Sequence, residues 1–482
     1  MYISLKDNQY KPTEWKAAVK KESGKASPQG FEEIKTVLEQ FSGKTLAELV
    51  SNEKKYGKFL VFPSDAAESD LDDDKKVLFE LLDADTDNPK FRTGNVMGFF
   101  TLRGEEKDGE SSEVRMQITS RFDDEAGKDN FFLHFMLQKV CNMAIAPSTS
   151  SGTESFYDFL PYLFPSYLKE ACKQGIFRAY VTREYNDANV RGPIDVARHI
   201  RYNIPFNGKV AYHTREYTAD NKITQLVRHT IEYIRSMGFS ILDGDARDDV
   251  GKIIAATPTY TKNDRAKVIA QNLHPVTHPY YTAYEPLRML CLGILQHKKL
   301  SYGGDDDNQI AGILFDGASL WEEYLNDLLK RNCEGKLVHP NNRARTDKQY
   351  LFDNDESDSS RTIYPDFLWE LSEDKFYAKA VLDAKYKPLD DNGLSRDDAY
   401  QMLAYMLRFD SKRGYLIYPQ KYNDEKDIYS KKYALYRDPN ILIQTIGLHI
   451  PQTDKEGKYE HFCIEMKKNE EIFINVLQRL LE

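Results

Sequence analysis

The chain has 482 residues, a formal net charge of -10, and 41% hydrophobic and 12% aromatic residues, among them 31 tyrosines and 25 phenylalanines. That length exceeds what one hydrophobic core serves, so two or three domains are expected, and the composition excludes a disordered chain. The acidic balance argues against strong unaided binding to duplex DNA, whose affinity comes largely from Lys and Arg neutralising phosphates, but not against DNA as a substrate.

From the N-terminus, the run Met1-Tyr2-Ile3-Ser4-Leu5-Lys6 lacks the apolar core of a signal peptide, and no apolar stretch approaches the ~20 residues that span a bilayer. Cys141, Cys172, Cys291, Cys333 and Cys463 are scattered without metal or disulfide spacing, which fits reduced thiols in a cytoplasmic protein. Residues 1–150 read as a strand-rich domain. Residues 58–63, 96–102 and 114–119 have strand character, the last alternating as a half-buried strand does, and a helix is expected over 131–144. Ser42-Gly43-Lys44-Thr45 looks like a phosphate-binding loop. However, Leu38 stands where its first glycine would fall and no strand precedes it, so no nucleotide site is assigned.

Residues 151–308 read as a helical middle region. A helix over 156–174 is broken by Pro161 and Pro165 and stopped by Gly175. Ile223, Leu226, Val227, Ile231 and Ile234 keep helical spacing up to Gly238, and further helices are expected over 264–272 and 286–296. Arg191, Arg198, His199, Arg201, Lys209 and Arg215, interleaved with Tyr202, Tyr212 and Tyr217, form the densest basic stretch, read first as an exposed polar connection and second as a DNA or partner contact. The charged segment 301–308 marks a boundary. Acidic runs at 70–74, 305–307 and 353–358 read as solvated loops.

Residues 309–482 carry the chemistry. A helix opens near Phe315 with Trp321, Tyr324, Leu325 and Leu328 as its apolar stripe; Glu322 beside that stripe either closes a capping box with Ser319 or offers a carboxylate to a site. Two strands, 363–370 and 376–386, form a hairpin that brings Asp366 beside Asp383 and Lys385, which share one strand face. The two carboxylates suit a magnesium-like ion, which takes one or two protein carboxylates and keeps its waters, while Lys385 suits holding or helping to deprotonate a metal-bound water, or steadying the charge that builds on phosphorus. A following helix places Gln401, Tyr405 and Arg408 on one face, for contact with DNA or for support of the hairpin. Then come a buried strand over 414–419, strands over 441–450 and 461–466, and a closing helix over 470–481.

The pattern Pro365-Asp366, then Asp383-Ala384-Lys385 17 residues after Asp366, resembles the PD-(D/E)xK nuclease signature. Together with Leu320-Trp321-Glu322-Glu323-Tyr324, Tyr400-Gln401, Ala404-Tyr405 and Leu416-Ile417-Tyr418-Pro419, it is similar to McrC, the nuclease subunit of McrBC-type modification-dependent restriction systems. A weaker likeness extends to Arg191-Gly192-Pro193-Ile194-Asp195 and Thr218-Ala219-Asp220-Asn221. The resemblance implies an α/β multidomain protein with a restriction-endonuclease-like core at 309–482. It implies a Mg²⁺-dependent endodeoxyribonuclease in which Asp366, Asp383 and Glu322 hold the metal, Lys385 acts on the water, and Gln401 and Tyr405 support the site or touch DNA. It also implies a separate GTP-hydrolysing AAA+ ring as partner, docked through residues 1–150, and duplex DNA carrying a modified cytosine such as 5-methylcytosine as substrate. Two copies would meet to cut both strands. The rival readings are a stand-alone RecB-like repair nuclease and a non-catalytic assembly subunit.

Overall fold

The computed structural model describes residues 2–8, 11–19, 31, 34–62, 76–86, 89–103, 113–123, 130–140, 154–236, 242, 246–276, 278–296, 310–333, 335–340, 349–352, 362–388, 393–421, 430–452 and 459–482. The three acidic runs, the 301–308 segment, Cys141, Pro63, Gly238 and the end of the 131–144 helix lie outside them. The three expected segments map onto two compact units, one made of Met1–Phe156 and Ala311–Glu482, the other of Tyr157–Ile310.

In the first unit a five-stranded sheet has the order Tyr2–Lys6, Glu113–Thr119, Val96–Arg103, Ile310–Asp316, Lys58–Phe62. Two of its strands pair in the register Gly312 to Phe100 and Asp316 to Val96. A chain segment far along the sequence therefore completes the N-terminal sheet before entering the helix Gly317–Asn332. The expected half-buried strand Glu113–Thr119 is covered on both faces: Gln117 donates to Asn130 Oδ1 at 3.1 Å and Thr119 to the Leu5 carbonyl at 3.4 Å, which makes burial of its polar side tolerable. The tetrapeptide at 42–45 has a structural role. Gly43 turns at φ 72°, and Thr45 with Glu48 forms a complete capping box for the helix Leu46–Ser51.

A six-stranded mixed sheet follows, in the order Leu337–Val338, Phe367–Leu371, Ala378–Ala384, Arg413–Lys421, Leu442–Ile450, Ser430–Ala434. The expected hairpin is present with Phe367 opposite Leu382, though Tyr364-Pro365-Asp366 stands outside the ladder, because Pro365 has no N–H to give to it. The helix Arg396–Arg408 is the crossover between the parallel strands Ala378–Ala384 and Arg413–Lys421. The strand expected over 461–466 is instead part of one long helix, Tyr459–Leu481. Its buried residues Phe462, Met466, Phe473, Ile474 and Leu477 keep a helical period; the aromatic and β-branched residues of 462–464 mislead when read over six positions only.

The second unit packs the helices Arg247–Ala256, Arg265–Gln271 and Tyr284–Gln296 around the buried stripe of Lys222–Ser236. Pro161 and Pro165 do not break the helix Glu154–Lys173, where Leu160, Leu163, Phe164 and Leu168 are fully buried; that burial offsets the backbone bonds that the prolines remove. The basic stretch is not a polar connection between helices. It is an antiparallel ribbon, Ala179–Asp187 with Val210–Thr218, joined through the short helix Val196–Asn203.

Candidate active site

The hairpin register Phe367 to Leu382 sets Asp366 and Asp383, one position further out on each strand, side by side. Asp366 Oδ2 accepts the backbone N–H of Ala384 at 2.6 Å, which pins that carboxylate across the hairpin. Asp383, with only 3% of its side chain exposed, has Lys385 Nζ at 2.5 Å. The ammonium also donates to Gln401 Oε1 at 2.7 Å, and Gln401 Nε2 to the Tyr405 hydroxyl at 2.7 Å. The crossover helix thus reaches the hairpin through Gln401 and Tyr405, as the spacing predicts. Arg408, expected on the same face, turns away to the carbonyls of Tyr350 and Lys375.

Glu322 arrives from the other side. Its helix is capped by Asp316, whose carboxylate accepts from the N–H groups of Ala318 and Ser319, so the expected Ser319–Glu322 capping box is not formed. The helix begins two residues after the strand-borne Phe315, at Gly317, where a Cβ would stand 2.6 Å from the Tyr386 ring. Released from capping, the Glu322 carboxyl has its pKa raised well above the usual range, by burial first and then by the charges of Asp366, Glu323 and Asp383. Burial likewise raises Asp383 despite the attraction of Lys385. Burial also works against the Lys385 charge, but Asp383 and Asp366 more than offset it and the ammonium is held above its ordinary range.

Sequence reasoning missed three contributors. His339, buried against Phe367, places Nδ1 2.6 Å from the Asp366 carbonyl oxygen and Nε2 3.6 Å from Glu322 Oε1; a lone histidine after a two-residue strand gives no sequence signal. Asp398 is paired with Lys387 at 2.5 Å just beyond Lys385, and the alternation Asp383, Lys385, Lys387 was its available clue. The third is the N-terminal segment. Ser120 bonds the Tyr386 hydroxyl at 2.8 Å, and the Arg121 guanidinium, paired with the buried Asp7 at 3.2 Å, lies 4.9 Å from the Tyr386 ring centre.

The three acids Glu322, Asp366 and Asp383 together with Lys385 carry a formal charge of -2 when ionised, in a place where burial makes uncompensated charge costly. A divalent cation fits that deficit, and all the donors are hard oxygens. Among the described residues no group of three or more His, Cys, Asp or Glu side chains stands at metal-holding spacing, so the site is not a closed protein cage. Magnesium, with one or two carboxylates and its own waters, does not need one.

The family model described as "McrBC 5-methylcytosine restriction system component" matches residues 91–419, a span that includes Glu322, His339, Asp366, Asp383, Lys385, Gln401 and Tyr405. The chain belongs to the McrBC family. The family indicated by the residues is therefore the family found. Curated protein sequences return no match. Among solved structures, this McrBC-family chain is similar to a half-complex of Thermococcus gammatolerans McrB AAA+ hexamers with bound McrC, at 14% identity and TM-score 0.46 over 100% of both chains. It is also similar to the McrBC complex of the same organism, at 16% identity and TM-score 0.29 over 69% of this chain and 88% of that one. No helix among the described residues is long and apolar enough to cross a membrane.

Proposed function

We propose that this chain is the McrC-like endonuclease subunit of a modification-dependent restriction complex, acting on duplex DNA that carries a modified cytosine of the 5-methylcytosine type, with Mg²⁺. The observation that carries the reading is the meeting of Asp366, Asp383 and Lys385 on one hairpin end, with Glu322 brought to the same charge cluster from a separate helix. The mixed sheet, with its helix crossover behind the hairpin, fits a PD-(D/E)xK core.

When bound, the cation would polarise the scissile phosphate and lower the pKa of a coordinated water. Asp366 and Asp383 would hold it, with Glu322 assisting from its helix. Lys385, kept protonated by its acidic neighbours, donates hydrogen bonds and positive charge; it orients the attacking water and stabilises the phosphorane-like charge rather than removing a proton. Gln401 and Tyr405 fix the direction of that ammonium. The oxygen of water bonds to phosphorus as the ester oxygen departs; one proton of the water passes to solvent, and the departing ester oxygen takes one from solvent.

DNA loading is assigned to a GTP-hydrolysing AAA+ ring, consistent with the net charge of -10. Docking of that partner is assigned to residues 1–150, and a second surface suited to it is the segment joining the strands of the middle-unit ribbon, where Ile194, Val196, Ile200, Tyr202, Ile204 and Phe206 are all exposed. The test is plasmid cleavage with Mg²⁺ by the purified chain, alone and with its AAA+ partner and GTP. Cleavage only in the full mixture is expected. Cleavage by the chain alone, or none in any mixture, would overturn this reading.

A further inference from the structure

His339 joins two elements of the site that otherwise repel each other. It follows the short strand Leu337–Val338, whose pairing with Trp369 and Leu368 fixes it alongside the catalytic hairpin. Its ring lies over Phe367 with centroids 5.0 Å apart and planes 29° from parallel, and only 4% of the side chain is exposed. Since a carbonyl oxygen only accepts, the 2.6 Å contact with the Asp366 carbonyl places a proton on Nδ1, and the opposite edge of the ring, at Nε2, stands in van der Waals contact with Glu322 Oε1 at 3.6 Å. One rigid ring thus touches the backbone of one candidate cation ligand and the carboxylate of another.

We propose that His339 is a positioning residue that holds Glu322 and Asp366 at the separation from which both serve one divalent cation. This rests on the nuclease reading and deepens it. Without a cation, the Glu322 carboxyl faces the like-signed groups Asp366 and Asp383, so no attraction between these acids brings them together. The Glu322 helix also springs from the strand Ile310–Asp316 of the other sheet, so no backbone pairing ties it to the hairpin strands. The imidazole, fixed to the hairpin by its Nδ1–H and wedged against the Glu322 carboxyl, sets the spacing between the two, and it does so before any cation arrives. Groups that orient metal ligands from behind typically change metal affinity by about 10- to 100-fold when removed.

The test uses the full-length protein and the variant His339→Phe, which keeps a ring over Phe367 while removing both nitrogens. His339→Asn is the partial rescue, because its amide can still donate to the Asp366 carbonyl. Mn²⁺ binding followed by electron paramagnetic resonance, with no DNA present, is the primary measurement; cation-free thermal melting and the Mg²⁺ dependence of cleavage in the full mixture accompany it. His339→Phe is expected to weaken Mn²⁺ binding about tenfold and to raise the half-saturating Mg²⁺ similarly. The rate at saturating Mg²⁺ should stay within a few-fold and the melting temperature should be close to wild type, with His339→Asn between the two. Wild-type Mn²⁺ affinity in His339→Phe would overturn the proposal, as would equal losses in both variants accompanied by a lowered melting temperature. Asp383→Ala, run in parallel, separates the two readings: if it leaves Mn²⁺ binding and cleavage intact, the site itself is misassigned, whereas an effect there with none at His339 removes only the positioning role.

Discussion

Two of the antiparallel strand pairs among the described residues differ in what covers them. In the ribbon Phe367–Leu371 with Ala378–Ala384, Leu368, Val381 and Leu382 are fully buried and the acids at its end are almost as deeply enclosed. In the ribbon Ala179–Asp187 with Val210–Thr218, one face is open: Tyr180 and Tyr217 are exposed, and Arg215 lies over the Tyr180 ring at 4.5 Å. The same backbone pairing yields opposite chemistry. Enclosure turns Asp383 and Glu322 into groups with shifted proton affinity and a demand for counter-charge, while openness leaves Tyr and Arg available for a surface contact.

Removing residues 1–150 breaks the enclosure most completely. That segment supplies the Asp7–Arg121 ion pair and Ser120 beneath Tyr386, and Phe132 packs against Trp321 of the Glu322 helix with centroids 6.1 Å apart. Truncation should therefore give no soluble, cooperatively melting 151–482 segment rather than a folded one that merely lacks its partner. Calorimetry of 151–482 checks this, and a sharp transition near that of the full chain would show the enclosure to be dispensable.

Within an intact enclosure, Asp383→Ala should lower cleavage in the full mixture by about a thousandfold, on the scale of losing a group that acts on the transition state, with partner binding unchanged. Gel-based cleavage rates and a pull-down on the partner decide it; residual cleavage near wild type would mean that the buried ribbon is structural. In the segment that joins the strands of the open ribbon the expectation is reversed. Ile204→Ser with Phe206→Ser, residues 64% and 70% exposed, should weaken partner binding about 10- to 100-fold while the melting temperature stays within a degree or two. Unchanged affinity by interferometry would show that this face is not the contact.

The hairpin was legible because its signals are local: alternation places Asp383 and Lys385 on one face, and the turn at 371–374 brings Asp366 back to them. Gln401 and Tyr405 followed from helical spacing. The N-terminal enclosure was not legible, since Ser120 and Tyr386 are 266 positions apart and no local pattern links them. His339 escaped for a related reason, as its partners Glu322 and Asp366 flank it on elements whose mutual placement only the two sheets determine. The middle ribbon was misread because Arg, Glu and Tyr on one exposed and one half-buried face erase the apolar alternation by which strands are recognised.

The smallest effect isolates enclosure from the site altogether. His134, in the helix Phe131–Val140, is buried among Tyr459 and its neighbours, and burial pushes its pKa down to about 3 from an ordinary value near 6.5. The folded chain thus holds it neutral while the unfolded chain binds a proton below about 6.5. Its contribution is fully present above that pH, is lost progressively on acidification, and levels off once the folded-state value is passed. At pH 5 the loss is about 2 kcal/mol relative to pH 7, from the interval of roughly 1.5 units. Thermal melts of wild type and His134→Phe at pH 7 and pH 5 measure it: the difference between the two pH values should be smaller in the variant by that amount. Equal acid sensitivity in both proteins would mean that the acid response of the fold comes from its carboxylates and not from this ring.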